Sequence, residues 1–271
     1  MTPRKLAIDF SGVPMQWTRI PEYAAMQNAG SPIATQSEIF VNAVMAKFRN
    51  QIPADEAAFR EEIDIFVRQE TNHCYLHADF NKEMYARGYE AVRPYEATMR
   101  DYYRKLLKEK SLAFNLAYCA GFENITLFSA KFAFLCAPDL FEGGDERMVD
   151  LFTWHLAEEF EHRTIAHAAF AAISGNYFLR VYGALVAFRS LNKFQDDILK
   201  TVLEVDRRHM TAAEVKASKR RLSSIKRRMA RFVLPRLLQI LRPYYDPAKH
   251  EMPPVIQSAL LKYEHMAKAA A

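Results

Sequence analysis

Apolar residues along this chain recur at the three- and four-residue intervals of a helix face, and no alternating strand-like runs separated by hairpin signals stand out. With only 8 glycines in 271 residues, the breaks fall mainly at prolines. The pattern predicts an all-α protein. The first thirty residues, with Pro3, Pro14, Pro21 and Gly30, read as an irregular arm. A first helix is expected from Ser31 or Pro32 to about Asn50, and a second from about Ala54, after Pro53, to Arg87, with Gly88 as its stop. Residues 89 to 110 hold Pro94 and a charged run. A third helix then runs from about Ser111 to Ala137, before Pro138, and a fourth follows the loop at residues 141 to 145 and ends near Ser174. Residues 176 to 271 read as further helices packed outside a bundle formed by about residues 31–174, giving a single domain over 1–271.

One four-residue pattern occurs twice inside these helices, as Glu70-Thr71-Asn72-His73 and Glu159-Phe160-Glu161-His162. A carboxylate and an imidazole three positions apart project from one helix face, so each pair can grip a metal ion from one side. Glu38 on the first helix and Glu123 on the third supply two further carboxylates with apolar neighbours. One Glu from each of two helices plus a Glu-x-x-His from each of two others is the ligand inventory of ferritin-like dinuclear proteins. Phe66, Val67, Leu76 and Phe80 flank the first pair, and Leu151, Phe152, Leu156, Phe160 and Ile165 flank the second. Carboxylates in such surroundings must be paired, protonated or metal-bound; metal binding is the expectation, a salt-bridged polar core the alternative.

The intervals between these carboxylates carry topology. Glu38 to Glu70 spans 32 residues and Glu123 to Glu159 spans 36, both suited to antiparallel hairpins, whereas the 53 residues from Glu70 to Glu123 leave room for a crossover along the bundle. In that arrangement the second and fourth helices are antiparallel. His77, a turn after His73, and His155, a turn before Glu159, then meet at one end of the site. Each is a candidate catalytic group, additional metal ligand or outer hydrogen-bond donor, the alternative being an ordinary buried histidine. Glu158 competes with Glu159 as ligand, but the match to Glu70 and His73 favours Glu159.

The strings Gln69-Glu70-x-x-His73-x-x-x-His77-x-x-x-Asn81 and Trp154-His155-x-x-Glu158-Glu159-x-Glu161-His162, with Glu38 and Glu123, resemble a bacterial family described as predicted metal-dependent hydrolases. The resemblance covers roughly residues 15 to 250 and implies a ferritin-like fold. The chain departs from the family where members often carry Asp at Ala168 and His at Asn124. By analogy with ferritin-like sites, Glu38, Glu70 and His73 would serve one metal and Glu123, Glu159 and His162 the other, with Glu70 and Glu159 able to bridge. Mixed carboxylate and imidazole ligands suit two iron ions first, with manganese or zinc as substitutes. The leading expectation is a dioxygen-dependent oxidoreductase, a monooxygenase drawing on an electron donor and acting on a small molecule. The alternatives are a dinuclear hydrolase and a non-enzymatic metal-binding or storage protein.

Charge and cysteine usage refine this picture. The net charge of +5 is unevenly spread, since residues 201 to 243 carry twelve Lys/Arg against three Asp/Glu. Lys216 to Arg236 holds nine basic residues and no acid, with Leu222, Ile225, Met229 and Phe232 at helical spacing. It reads as a solvated face, or as a docking strip for a coenzyme A- or carrier-linked substrate or an anionic membrane surface. No nucleic-acid module accompanies the charge. Cys74, Cys119 and Cys136 lack zinc spacing, and the N-terminus lacks the apolar core of a signal peptide, both expected of a cytoplasmic protein. Residues 111 to 137, the most apolar stretch, are interrupted by Asn115, Glu123, Asn124 and Lys131 and read as a buried helix instead of a membrane span.

Overall fold

In the computed structural model, which describes residues 1–269, nine helices account for most of the chain and no strand is found among the described residues. They are α1 (Pro21–Arg49), α2 (Ala57–Met84), α3 (Arg93–Glu109), α4 (Leu112–Lys131), α5 (Glu146–His162), α6 (Ile165–Ile173), α7 (Tyr177–Asp206), α8 (Ala212–Ile240) and α9 (Pro254–Ala269). Among the described residues, no helix is long and apolar enough to cross a membrane. The helix within the long apolar stretch, α4, is a core helix with Glu123 fully buried near its centre.

Helix α1 begins ten residues earlier than the proline pattern predicts. Pro21 occupies its first turn, where a missing N–H costs nothing, and Pro32 lies within it. An internal proline forfeits one helical hydrogen bond. Burial of Ala24, Ala25, Ala29, Ile33 and Pro32 itself holds the helix through the defect. The expected fourth helix is in fact two, since a turn at Arg163 and Thr164 separates α5 from α6.

Cross-helix contacts fix the topology. Ser31 meets His77, Asn42 meets Thr71 and Arg49 meets Asp64, so α1 and α2 are antiparallel. Gln69 meets His162, His73 meets Glu158 and His77 meets His155, so α2 and α5 are antiparallel as well. Glu123 lies near His162, while Phe132, two and a half turns on, shares a cavity with Phe152. Helix α4 is therefore antiparallel to α5 and parallel to α2. The chain must travel back along the bundle between α2 and α4, and α3 makes that return, stacking Tyr103 on Phe40 of α1 at 4.8 Å. The result is the ferritin-like order anticipated from the 53-residue interval.

Helix α7 lies closer to the bundle than an outer layer would. A Cβ on Gly121 would sit 2.5 Å from Ala184 Cα, and one on Gly183 would sit 2.6 Å from the Ala117 carbonyl carbon. These two glycines let the α4 and α7 backbones touch, and α7 buries Ala187, Leu191, Phe194, Ile198 and Val202.

Candidate metal centre

The four bundle helices each deliver carboxylates or imidazoles to one level. Glu38 comes from α1, Glu70 and His73 from α2, Glu123 from α4, and His155, Glu159 and His162 from α5. They form two clusters: Glu38, His73, His155 and Glu159 in one, Glu70, Glu123, Glu159 and His162 in the other, with candidate ligand atoms inside each cluster within 4.8 Å of one another. Glu159 belongs to both. The division differs from that drawn by analogy, because Glu70 groups with Glu123 and His162, and His155 joins Glu38 and His73. Glu70 still reaches the first cluster, with Oε2 3.9 Å from His73 Nδ1.

The donor set fits metal ions. Both oxygens of Glu70 and Glu123, one oxygen each of Glu38 and Glu159, and the Nδ1 atoms of His73 and His162 are buried without a hydrogen-bond partner. His162 Nδ1 and Glu70 Oε1 lie 2.7 Å apart yet are not aligned as donor and acceptor. Atoms so placed converge on a shared point, not on each other. Burial drives the carboxyls of Glu38, Glu70 and Glu123 well above the usual range, and the Glu159 charge raises the latter two further. Burial acts against ionisation of Glu159 too, but the hydrogen bond and charge of His155 and the charge of His162 bring it down to about 2. Burial likewise opposes protonation of His155, but Glu38 and Glu159 raise it to about 9. Without cations, burial disfavours charge on three of the four carboxyls, and only Glu159 is offset by the neighbouring imidazoles. Two divalent ions would let all four ionise.

Each imidazole of the Glu-x-x-His pairs is held from behind. His73 Nε2 lies 3.0 Å from Glu158 Oε2, and His162 Nε2 lies 3.2 Å from Gln69 Oε1. Both supports end on Arg4, whose Nη1 donates to Glu158 at 2.9 Å and to Glu161 at 2.8 Å, while Gln69 Nε2 donates to Glu161 at 3.0 Å. These bonds place the proton of each ring on Nε2 and turn Nδ1 toward the carboxylates. Glu158, the rival of Glu159 in the sequence, is thus the support of His73, its carboxyl raised to about 7 by burial against the pull of Arg4. Arg4 itself was missed: it sits in the irregular arm, more than 150 residues from its partners, with no local pattern to mark it.

His77 and His155 do converge. His155 Nε2 lies 3.0 Å from Glu159 Oε1, and its Nδ1 lies 2.7 Å from His77 Nε2. His77 Nδ1 then meets Ser31 Oγ at 2.8 Å, which donates to Asn81 Oδ1 at 2.7 Å. The chain satisfies every member in one direction, from His155 outward to Asn81. Beside it opens a cavity of about 290 Å³, mostly apolar. Its floor is Glu38, His77 and His155, and its walls include Ile33, Phe122, Phe132, Leu191 and Met229. Helices α7 and α8 therefore help build the site, a role their sequences did not reveal. Cys74 donates weakly from Sγ to Glu38 Oε2 at 3.5 Å, and its thiol is held far up, first by burial and then by Glu38. At the two departures from the family pattern, Asn124 donates to the Ala120 carbonyl and accepts from Tyr245, while Ala168 is exposed.

A family model described as predicted metal-dependent hydrolase matches residues 2–251. No curated protein and no solved structure matches the chain. The chain belongs to that family.

Proposed function

With membership of the predicted metal-dependent hydrolase family as premise, we propose that this chain is a dinuclear metal-dependent hydrolase of an apolar carboxylic ester or amide. The observation that carries it is the meeting of an apolar cavity with the Glu38, His73, His155 and Glu159 cluster. Two bound divalent metals would supply an ionised water at neutral pH and polarise a substrate carbonyl. The cavity walls would hold the apolar body of the substrate with its carbonyl at the floor. His77 and His155, hydrogen-bonded at 2.7 Å on that floor, can pass a proton to the leaving group as it departs into the cavity. The test is hydrolysis of p-nitrophenyl esters of increasing chain length by metal-loaded protein. Activity that rises with chain length, vanishes on chelation and returns with metal is expected; no turnover of esters or amides under any metal sinks the reading.

One observation favours a second reading. Four carboxylates and two or three imidazoles are ligands that suit iron, and an apolar cavity excludes water from a reactive oxidant. An oxygen-dependent oxidoreductase therefore follows as the alternative, with an external electron donor. Dioxygen uptake by the ferrous protein, absent from a hydrolase, separates the two.

A further inference from the structure

Behind the cavity wall at Phe132, side chains from four separate segments bring basic groups together. Lys131 at the end of α4 places Nζ 3.1 Å from Nδ1 of His250 and 5.6 Å from the centre of the Phe160 ring. Arg163, in the α5–α6 turn, lies 4.6 Å from that same ring, with one nitrogen on the Phe160 carbonyl and a buried Nε that has no partner. Arg236 of α8 stacks on Phe232, which in turn packs on Phe132 next to Lys131. All four basic residues are half-buried. Among the described residues, none of Lys131, Arg163 and Arg236 is ion-paired. The acids that reach the cluster are engaged elsewhere, Glu161 by Arg4 and Gln69, and Asp246 by the Ala248 amide.

Repulsion is visible at two of these residues, Lys131 and His250. Lys131 is held below the usual lysine range by burial and then by Arg236 and Arg163, and His250 is brought to about 4 by burial and then by Lys131 and Arg163. Like charges in partial burial are costly unless an anion offsets them. A guanidinium with a free donor, an ammonium, a second guanidinium and an imidazole arrive from different directions, which matches the several oxygens of a tetrahedral anion better than the plane of one carboxylate.

We propose that Lys131, Arg163, Arg236 and His250 form a binding site for a phosphate group, either free inorganic phosphate or the phosphate of a phosphomonoester. The site is separate from the metal centre and does not depend on the reaction catalysed there. The experiment is titration of the metal-loaded full chain with inorganic phosphate at constant ionic strength, followed by calorimetry and by thermal unfolding. Saturable binding with a rise in melting temperature is expected, and the double variant Lys131→Met, Arg236→Gln should bind at least about tenfold more weakly while keeping its metal content. Arg163→Gln and His250→Ala, tested singly, serve the same purpose if the double variant fails to fold. Phosphoserine in place of phosphate assigns the source: equal affinity marks a phosphomonoester site, binding of phosphate alone a free-anion site. Absence of saturable binding, binding matched by chloride, or binding unchanged in all the variants and hence residing at the metals, overturns the proposal.

Discussion

The two halves of the candidate metal centre gather nearly the same residue types in different surroundings. Glu38, His73 and His155 form the half beside the cavity, and Glu38 and His155 are part of its floor. Glu70, Glu123 and His162 form the other, closed over by the Phe66 ring against His162 and by Gln69 behind it. The open half has an extra imidazole, His155, backed by a hydrogen-bonded line to Asn81; the closed half has two carboxylates with no partner on any oxygen. The difference is one of access: the cavity reaches the open half, whereas the closed half gathers buried carboxylates away from it.

The largest expected effect comes from the residue the halves share. Glu159→Ala removes a ligand from both clusters and leaves His155 Nε2 without its closest acceptor, so metal content measured by plasma mass spectrometry should fall below one ion per chain with the helical circular dichroism retained. A full equivalent of metal in that variant would mean that the halves are independent.

Next, the halves can be set against each other with near-isosteric changes. Glu38→Gln should lower turnover by roughly a hundredfold or more, because it alters the cavity floor, whereas Glu123→Gln should cost about tenfold less in turnover and show its main effect in metal affinity. Equal losses of turnover from both would erase the distinction between an open and a closed half. Gln69→Leu acts first on the closed half: without the acceptor for His162 Nε2–H, metal affinity at that half should drop about 10- to 100-fold, read by competition with a chromophoric chelator. An unchanged affinity would show that packing by Phe66 alone orients His162.

How far the sequence spoke depends on the range of the interaction. The repeated Glu-x-x-His, the convergence of His77 with His155 and the crossover between α2 and α4 were legible because helical periodicity converts spacing into geometry. Pro32 misled, since a local breaker rule cannot weigh the tertiary burial that carries α1 through it. The break after His162 has no comparable marker. Arg4 was invisible because its meaning arises only when the N-terminal arm meets Glu158 and Glu161. The same holds for Leu191 and Met229: an apolar residue on an outer helix looks alike whether it packs on a neighbour or lines a cavity. The division of ligands between the halves was also hidden, since spacing places side chains on a face but does not say which of two adjacent points they serve.

The smallest effect is expected at Cys74, which touches only the open half. Its Sγ lies 3.5 Å from Glu38 Oε2, a long contact from a weak donor. Burial and the neighbouring carboxylate both oppose ionisation, so the thiol stays protonated and offers Glu38 an orienting hydrogen bond instead of competing with it as a thiolate ligand. Removing a bond of that strength while leaving a small apolar side chain should shift Glu38 slightly and change nothing else. Cys74→Ala is therefore expected to keep its full metal content and to alter turnover by no more than about threefold, within the contribution of a single weak hydrogen bond. Steady-state rates and metal analysis on the same preparation check both. A loss beyond about a hundredfold, or a change in bound metal, would move Cys74 into the chemistry of the open half and give that half a ligand with no counterpart on the closed side.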